Sequence, residues 1–263
     1  MFLVAVPVLV YIPSGLYSEL SLSNPVVGEG GFSTPVVEGG SYSLGGGYSS
    51  LGMVKSYWMV SLGKDRYTVF TKGDIVMDSS DMLDSSGEVV GTTSAGSYLV
   101  GLGGSFAFPF ARFGLCFSYF GSWISHASAS ALMVDLGVAR EFPALGLKVG
   151  LSVMGLTSPF SYVEDGESYF GIPSITLGAS KKFSAVKGIP VEAGLGLGYE
   201  GAFKAGVFAK TAYSGVNLLI GAGWKDGLYM GLAVGYSAFR TGFLYDFDFG
   251  PSIMAQVSGS LSK

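Results

Sequence analysis

The only histidine in the chain is His126, so any catalytic reading that needs an imidazole must begin there. His126-Ala127-Ser128, with Glu141 further along, offers a base, a nucleophile and an acid to orient the base, the three roles of acyl transfer. Serine is frequent in this sequence, so the pairing arises easily by chance, and a plain surface loop accounts for His126 equally well. Gly101-Leu102-Gly103-Gly104 and Gly194-Leu195-Gly196-Leu197-Gly198 have the composition of phosphate loops, but they lie inside alternating runs and open no helix. Cys116 has no second cysteine to join, and no acidic or cysteine cluster has metal-ligand spacing. No metal and no cofactor is therefore expected. What remains is apolar chemistry. Met59, Phe70, Phe120, Met133, Met154, Phe208 and Leu219 stand on the register opposite the apolar majority and are the candidate ligand-binding residues, with packing against other inward segments as the plainer role for them.

Those residues would be positioned by strands. Leu228, Met230, Leu232, Val234 and Tyr236 alternate with Tyr229, Gly231, Ala233, Gly235 and Ser237, and a pleated strand turns such a period of two into two chemically different faces. Val191 to Glu200 and Leu145 to Val153 repeat the pattern. Marking every such run places strands near 42–49, 55–62, 66–77, 95–108, 110–121, 128–142, 144–156, 171–184, 188–199, 203–213, 215–225, 227–238, 242–249 and 252–261. That is about 14 strands, most near the roughly 9–11 residues a tilted strand needs to cross a bilayer. The two longest connections, 78–94 and 157–170, leave on the same side, and the intervening turns are mostly brief. Membrane barrels show this asymmetry of long outer loops and short periplasmic turns.

Composition fits the same picture. Glycine numbers 42 of 263 residues and charged residues are only 13%, while 49% are apolar. Mean hydropathy is +0.48, yet no window approaches a spanning helix of about 20 apolar residues. The net charge of -4 gives no basic patch, so nucleic acid is not an expected partner. In hydrocarbon an unpaired backbone group costs several kcal/mol, so a spanning sheet must close on itself. The expected fold is all-β: a closed transmembrane antiparallel β-barrel over residues 42–263, preceded by a leader and plug-like segment over 1–41. Phe2 to Ile12 reads as the apolar core of a signal peptide, and 13–41 is rich in Gly, Ser and Pro. Charged alternates such as Asp135, Lys148, Glu192, Lys204 and Lys210 should face the lumen, pairing there to hold the wall. Inward glycines, including Gly194 and Gly198, should leave room inside, and aromatics near strand ends, such as Phe106, Phe108, Trp224 and Tyr236, should form interfacial girdles.

Three stretches carry a family likeness: Gly73-Asp74-Ile75 running through Asp84, Gly87 and Gly91 to Thr93-Ser94-Ala95; Ser128-Ala129-Ser130-Ala131 leading through Asp135 to Gly137; and Pro143 through Gly150 to Leu156. In this order they resemble the PorV-type branch of the FadL-like outer-membrane proteins, a branch with members in spirochaetes. Met154 stands where that branch has asparagine, and Asn24-Pro25 is followed by Val26-Val27 in place of its Ala-Gly. The resemblance implies a plugged barrel in the bacterial outer membrane that takes up hydrophobic small molecules such as long-chain fatty acids, with lateral exit through the wall. Its expected partners are outer-membrane lipid, a hydrophobic ligand or detergent, and the barrel-assembly machinery. The alternative it implies is a PorV-type secretion-accessory or surface binding protein without transport, using the acidic loop with Asp78, Asp81, Asp84 and Glu88. More remotely, His126-Ala127-Ser128 resembles the His-x-Ser pair of outer-membrane lipid deacylases. The balance of these readings is not an enzyme.

Overall fold

A computed structural model describes residues 41–49, 55–64, 67–76, 80–83, 89–93, 95–124, 127–160, 168, 170–183, 189–225, 227–237, 239–247 and 250–260. Residues 1–40 of the leader and plug-like segment, His126, and Asp78, Asp84 and Glu88 of the acidic loop lie outside the described residues. The strands are β1 (Ser41–Ser49), β2 (Lys55–Lys64), β3 (Tyr67–Val76), β4 (Ser80–Leu83), β5 (Val89–Thr93), β6 (Ala95–Ala107), β7 (Arg112–Ile124) and β8 (Ala127–Phe142). After a single 3-10 turn at Pro143–Leu145 come β9 (Leu147–Thr157), β10 (Ser174–Phe183), β11 (Val191–Glu200), β12 (Ala202–Tyr213), β13 (Val216–Lys225), β14 (Gly227–Tyr236), β15 (Phe239–Asp246) and β16 (Gly250–Ser260).

Every strand except β4 and β5 pairs antiparallel with two neighbours, and β1 lies between β2 and β16, so the order returns to its start as a closed barrel. Ser41 stands opposite both Gly63 and Ser260. Closure gives each strand a neighbour on both sides, which leaves no sheet edge for lipid to meet. β4 and β5 pair with each other, as a hairpin inside the connection from β3 to β6. That stretch reads as an uninterrupted loop in sequence, yet Val89-Val90 and Thr92-Thr93 supply the β-branched residues a short strand favours.

Exposure alternates along the strands and fixes the two faces. In β14, Leu228, Met230, Leu232, Val234 and Tyr236 are exposed while Ala233 is buried. In β7, Phe113, Phe117 and Tyr119 are exposed while Cys116, Ser118 and Phe120 are buried. The exposed set is apolar nearly all the way round, far more than a water-facing surface carries as contiguous patches. Phe106, Phe108, Phe183, Tyr213, Trp224, Tyr236 and Phe247 are exposed near strand ends, where girdles were expected.

The connections divide by end. At one, Ser214 (φ 49) and Gly215 (φ 80) make a two-residue turn of the mirror-image kind that suits twisted hairpins. The long segments, 77–94 and 158–173, both lie at the other. Five strands differ from their expected bounds by three residues at an end: β7 runs on to Ile124 instead of 121, β9, β10 and β11 begin at Leu147, Ser174 and Val191 instead of 144, 171 and 188, and β15 begins at Phe239, three residues before 242. Ser237 takes a left-handed φ of 54, so the chain reverses at once and Phe239 already pairs with Tyr236.

Candidate functional site

The barrel interior is built by register. Across β6, β7 and β8, Leu99 faces Phe120 and Phe120 faces Ala131; one step along, Gly101, Ser118 and Met133 form the next row. Leu99, Cys116, Phe120, Ala129, Ala131, Met133 and Phe160 make one buried apolar cluster. Phe160 enters it from the connection after β9, its ring set edgewise to that of Phe120 at 6.4 Å and 74°. Burying a Phe or Leu side chain contributes about 1.5–3 kcal/mol, so this apolar inner wall is held together by its own packing.

The expected ligand-binding residues divide between this wall and the strands β9, β12 and β13. Phe120 and Met133 belong to the cluster. Met154 on β9 is buried opposite Ser174, Phe208 on β12 is buried between Gly194 and Gly221, and Leu219 on β13 is buried between Lys210 and Ala233. Met59 lies opposite Gly45 and Lys72, and Phe70 opposite Ser61 and Gly101; their side chains are outside the described residues. Leu99 and Phe160 join the wall without being among the residues expected from sequence. Leu99 is flanked by Tyr98 and Val100, which blurs alternation, although its odd number matches the inward Gly101 and Gly103. Phe160 sits in a connection, where period two carries no signal.

Two inward glycines do not leave the room expected of them. A Cβ on Gly194 would collide with the Phe208 ring, and one on Gly198 would collide with the Lys204 stem. The glycines are seats for large neighbours, and Gly194 of β11 gives the Phe208 ring its place.

Polar groups concentrate on β8 to β12. The Ser174 hydroxyl, fully buried, accepts a hydrogen bond from Lys204 Nζ at 2.7 Å. The Gly155 N–H donates to Asp135 Oδ1 at 2.7 Å, where the β8–β9 register shifts between Val134 and Leu136. Glu192 accepts from the Ser180 hydroxyl at 2.7 Å and pairs with Lys210 at 3.2 Å; Glu141 pairs with Lys148 at 3.4 Å.

β8 outruns its partner. The β8–β9 ladder stops at Met133 opposite Thr157, while β8 reaches back to Ala127. Ser158 finishes the ladder with its own side chain: its N–H donates to the Leu132 carbonyl at 2.8 Å, and its Oγ accepts from the Leu132 N–H at 3.1 Å. Beside the projecting end lies a cavity of ≈ 460 Å³. It is lined by exposed residues of the outer face, Tyr98, Tyr119 and Ser130, and by buried Ser122, Ala129 and Phe160. A second cavity, of ≈ 240 Å³, lies at the short-turn end between β10 and β14.

The acyl-transfer triad does not assemble. Ser128 and Glu141 sit near opposite ends of β8, and thirteen residues of strand at about 3.3 Å each put them roughly 43 Å apart. Glu141 faces Lys148 instead. Among the described residues no three His, Cys, Asp or Glu come together.

No protein-family model matches the sequence, and comparison with curated proteins gave no match. Solved structures do match in fold. The CymD monoaromatic hydrocarbon channel is similar with a TM-score of 0.56 at 9% identity, over 94% of this chain and 92% of that one. The toluene transporter TodX of Pseudomonas putida gives 0.54 at 12% identity, over 90% and 92%. A deltaS2S3 mutant of the TodX channel gives 0.53 at 11%, over 90% and 93%. At such identities the likeness is one of fold.

Proposed function

We propose that this chain is a bacterial outer-membrane barrel that admits hydrophobic small molecules, in the manner of FadL-like proteins. The observation that carries the reading is the apolar inner wall of Leu99, Phe120, Ala131, Met133 and Phe160 inside a barrel whose exterior is also apolar. A bore meant for water-soluble solutes gains nothing from such a lining, whereas an apolar solute gains free energy on leaving water for it. The neighbouring folds support the class, since they are channels for monoaromatic hydrocarbons. Within that class we assign long-chain fatty acids as the substrate. The cavity beside the projecting end of β8, bordered by residues of both faces, suits a lateral path between lumen and bilayer. The candidate passage residues are Phe120, Met133, Met154, Phe208 and Leu219, with Met59 on the cross-strand row of Leu99 and Phe70 on that of Gly101.

The test is entry of labelled oleate into liposomes carrying the purified chain. Faster entry than into protein-free liposomes is expected, and equal rates remove the proposal. The PorV-type accessory role is favoured by one feature, the β4–β5 hairpin with Asp81 at the long-loop end. Capture of a secreted protein that is lost on deleting residues 78–94, with no effect on oleate entry, would move the assignment to that role.

A further inference from the structure

At the short-turn end of the barrel three charges stand in register across adjacent strands: Lys182 on β10, Glu192 on β11 and Lys210 on β12, continued by Leu219 on β13 and Ala233 on β14. These five residues, with Asn217, line the cavity of ≈ 240 Å³. One side of the cavity is therefore cationic and the other apolar. Both oxygens of Glu192 are already engaged, Oε1 by the Ser180 hydroxyl at 2.7 Å and Oε2 by Lys210 at 3.2 Å. Lys182 makes no ion pair among the described residues, so the row carries one positive charge beyond what Glu192 balances. Leu219 and Ala233, both buried, offer the attached apolar body a dry surface.

We infer that this cavity is a binding site for a small carboxylate with an apolar body, its charge set on Lys182 and its body on Leu219 and Ala233. The volume lies just under the range of about 300–1,000 Å³ usual for drug-sized ligands, which limits the body to one aromatic ring or a short acyl chain. The site is separate from the apolar cluster of β6 to β8 and chemically unlike it. Its purpose rests on the passage reading above, as a station at the inner mouth, but its chemistry does not.

The experiment is equilibrium binding of benzoate and of benzyl alcohol, its uncharged counterpart, to the full chain reconstituted in lipid nanodiscs. The wild type should bind benzoate about tenfold or more tightly than the alcohol, as a charge-assisted hydrogen bond allows. Lys182→Gln should erase that preference without changing the affinity for benzyl alcohol, and Lys182→Arg should keep it. Equal binding of the two compounds by the wild type, or a preference surviving Lys182→Gln, overturns the inference. Oleate entry into liposomes is scored on the same proteins. If oleate does not enter while benzoate preference depends on Lys182, the passage fails and the site stands; if oleate enters but the preference is absent, the site fails alone.

Discussion

Gly155 shows how much of the lumen's geometry rests on single residues. Its φ of 73 lies in the left-handed region, and its N–H reaches Asp135 Oδ1 at the point where β8 and β9 change register. An L side chain there costs about 1–2 kcal/mol. Gly155→Ala should therefore lower stability by about that amount in denaturant unfolding of the lipid-reconstituted barrel, and an unchanged midpoint would show that the shift does not depend on this conformation. Sequence could mark Gly155 only as one of many glycines. Position within a bulge is a property of the pairing, and pairing is set by the neighbouring strand. The same holds for Gly194, which looks like empty space in sequence and is the seat of Phe208 in the fold. By contrast Phe120, Met133, Met154, Phe208 and Leu219 could be placed on the inward register from parity alone, because each interrupts an otherwise small or polar face.

At the level of elements, alternation locates strands well and their ends poorly. Period two survives into a turn whenever the turn residues happen to alternate, so alternation starts β9, β10 and β11 three residues early and β15 three residues late, where the real boundary is the left-handed Ser237. β9 ends differently. Ser158 substitutes its hydroxyl for a ladder carbonyl, accepting the Leu132 N–H at 3.1 Å, and this leaves the outer end of β8 to project. Losing one such bond costs about 1 kcal/mol, equivalent to a factor of about five in an opening equilibrium. Ser158→Ala should thus speed amide exchange at Leu132 by about fivefold with little change at Met133 and beyond. If exchange at Leu132 is unaltered, the hydroxyl is not what terminates the ladder. The β4–β5 hairpin is not legible in sequence because its strands are only 4 and 5 residues long, too short for a period to declare itself.

For the molecule as a whole, the sequence supplies two faces and the structure supplies the ring. The pairing of β1 with β16 joins residues more than two hundred apart, and no local pattern can show it. Once the ring is closed, the two faces become two surfaces, one apolar outside and one divided inside: an oily wall on β6 to β8 and a charged row from β10 to β12. An oily wall is the feature that separates a passage for hydrophobic solutes from an aqueous pore, and flux selectivity reports it directly. In vesicles bearing lipopolysaccharide, entry of toluene and of oleate is to be measured beside entry of glucose, a polar solute. The account predicts that the barrel accelerates the two apolar solutes severalfold and leaves glucose at the rate of protein-free vesicles. Acceleration of glucose with none for toluene or oleate would contradict it.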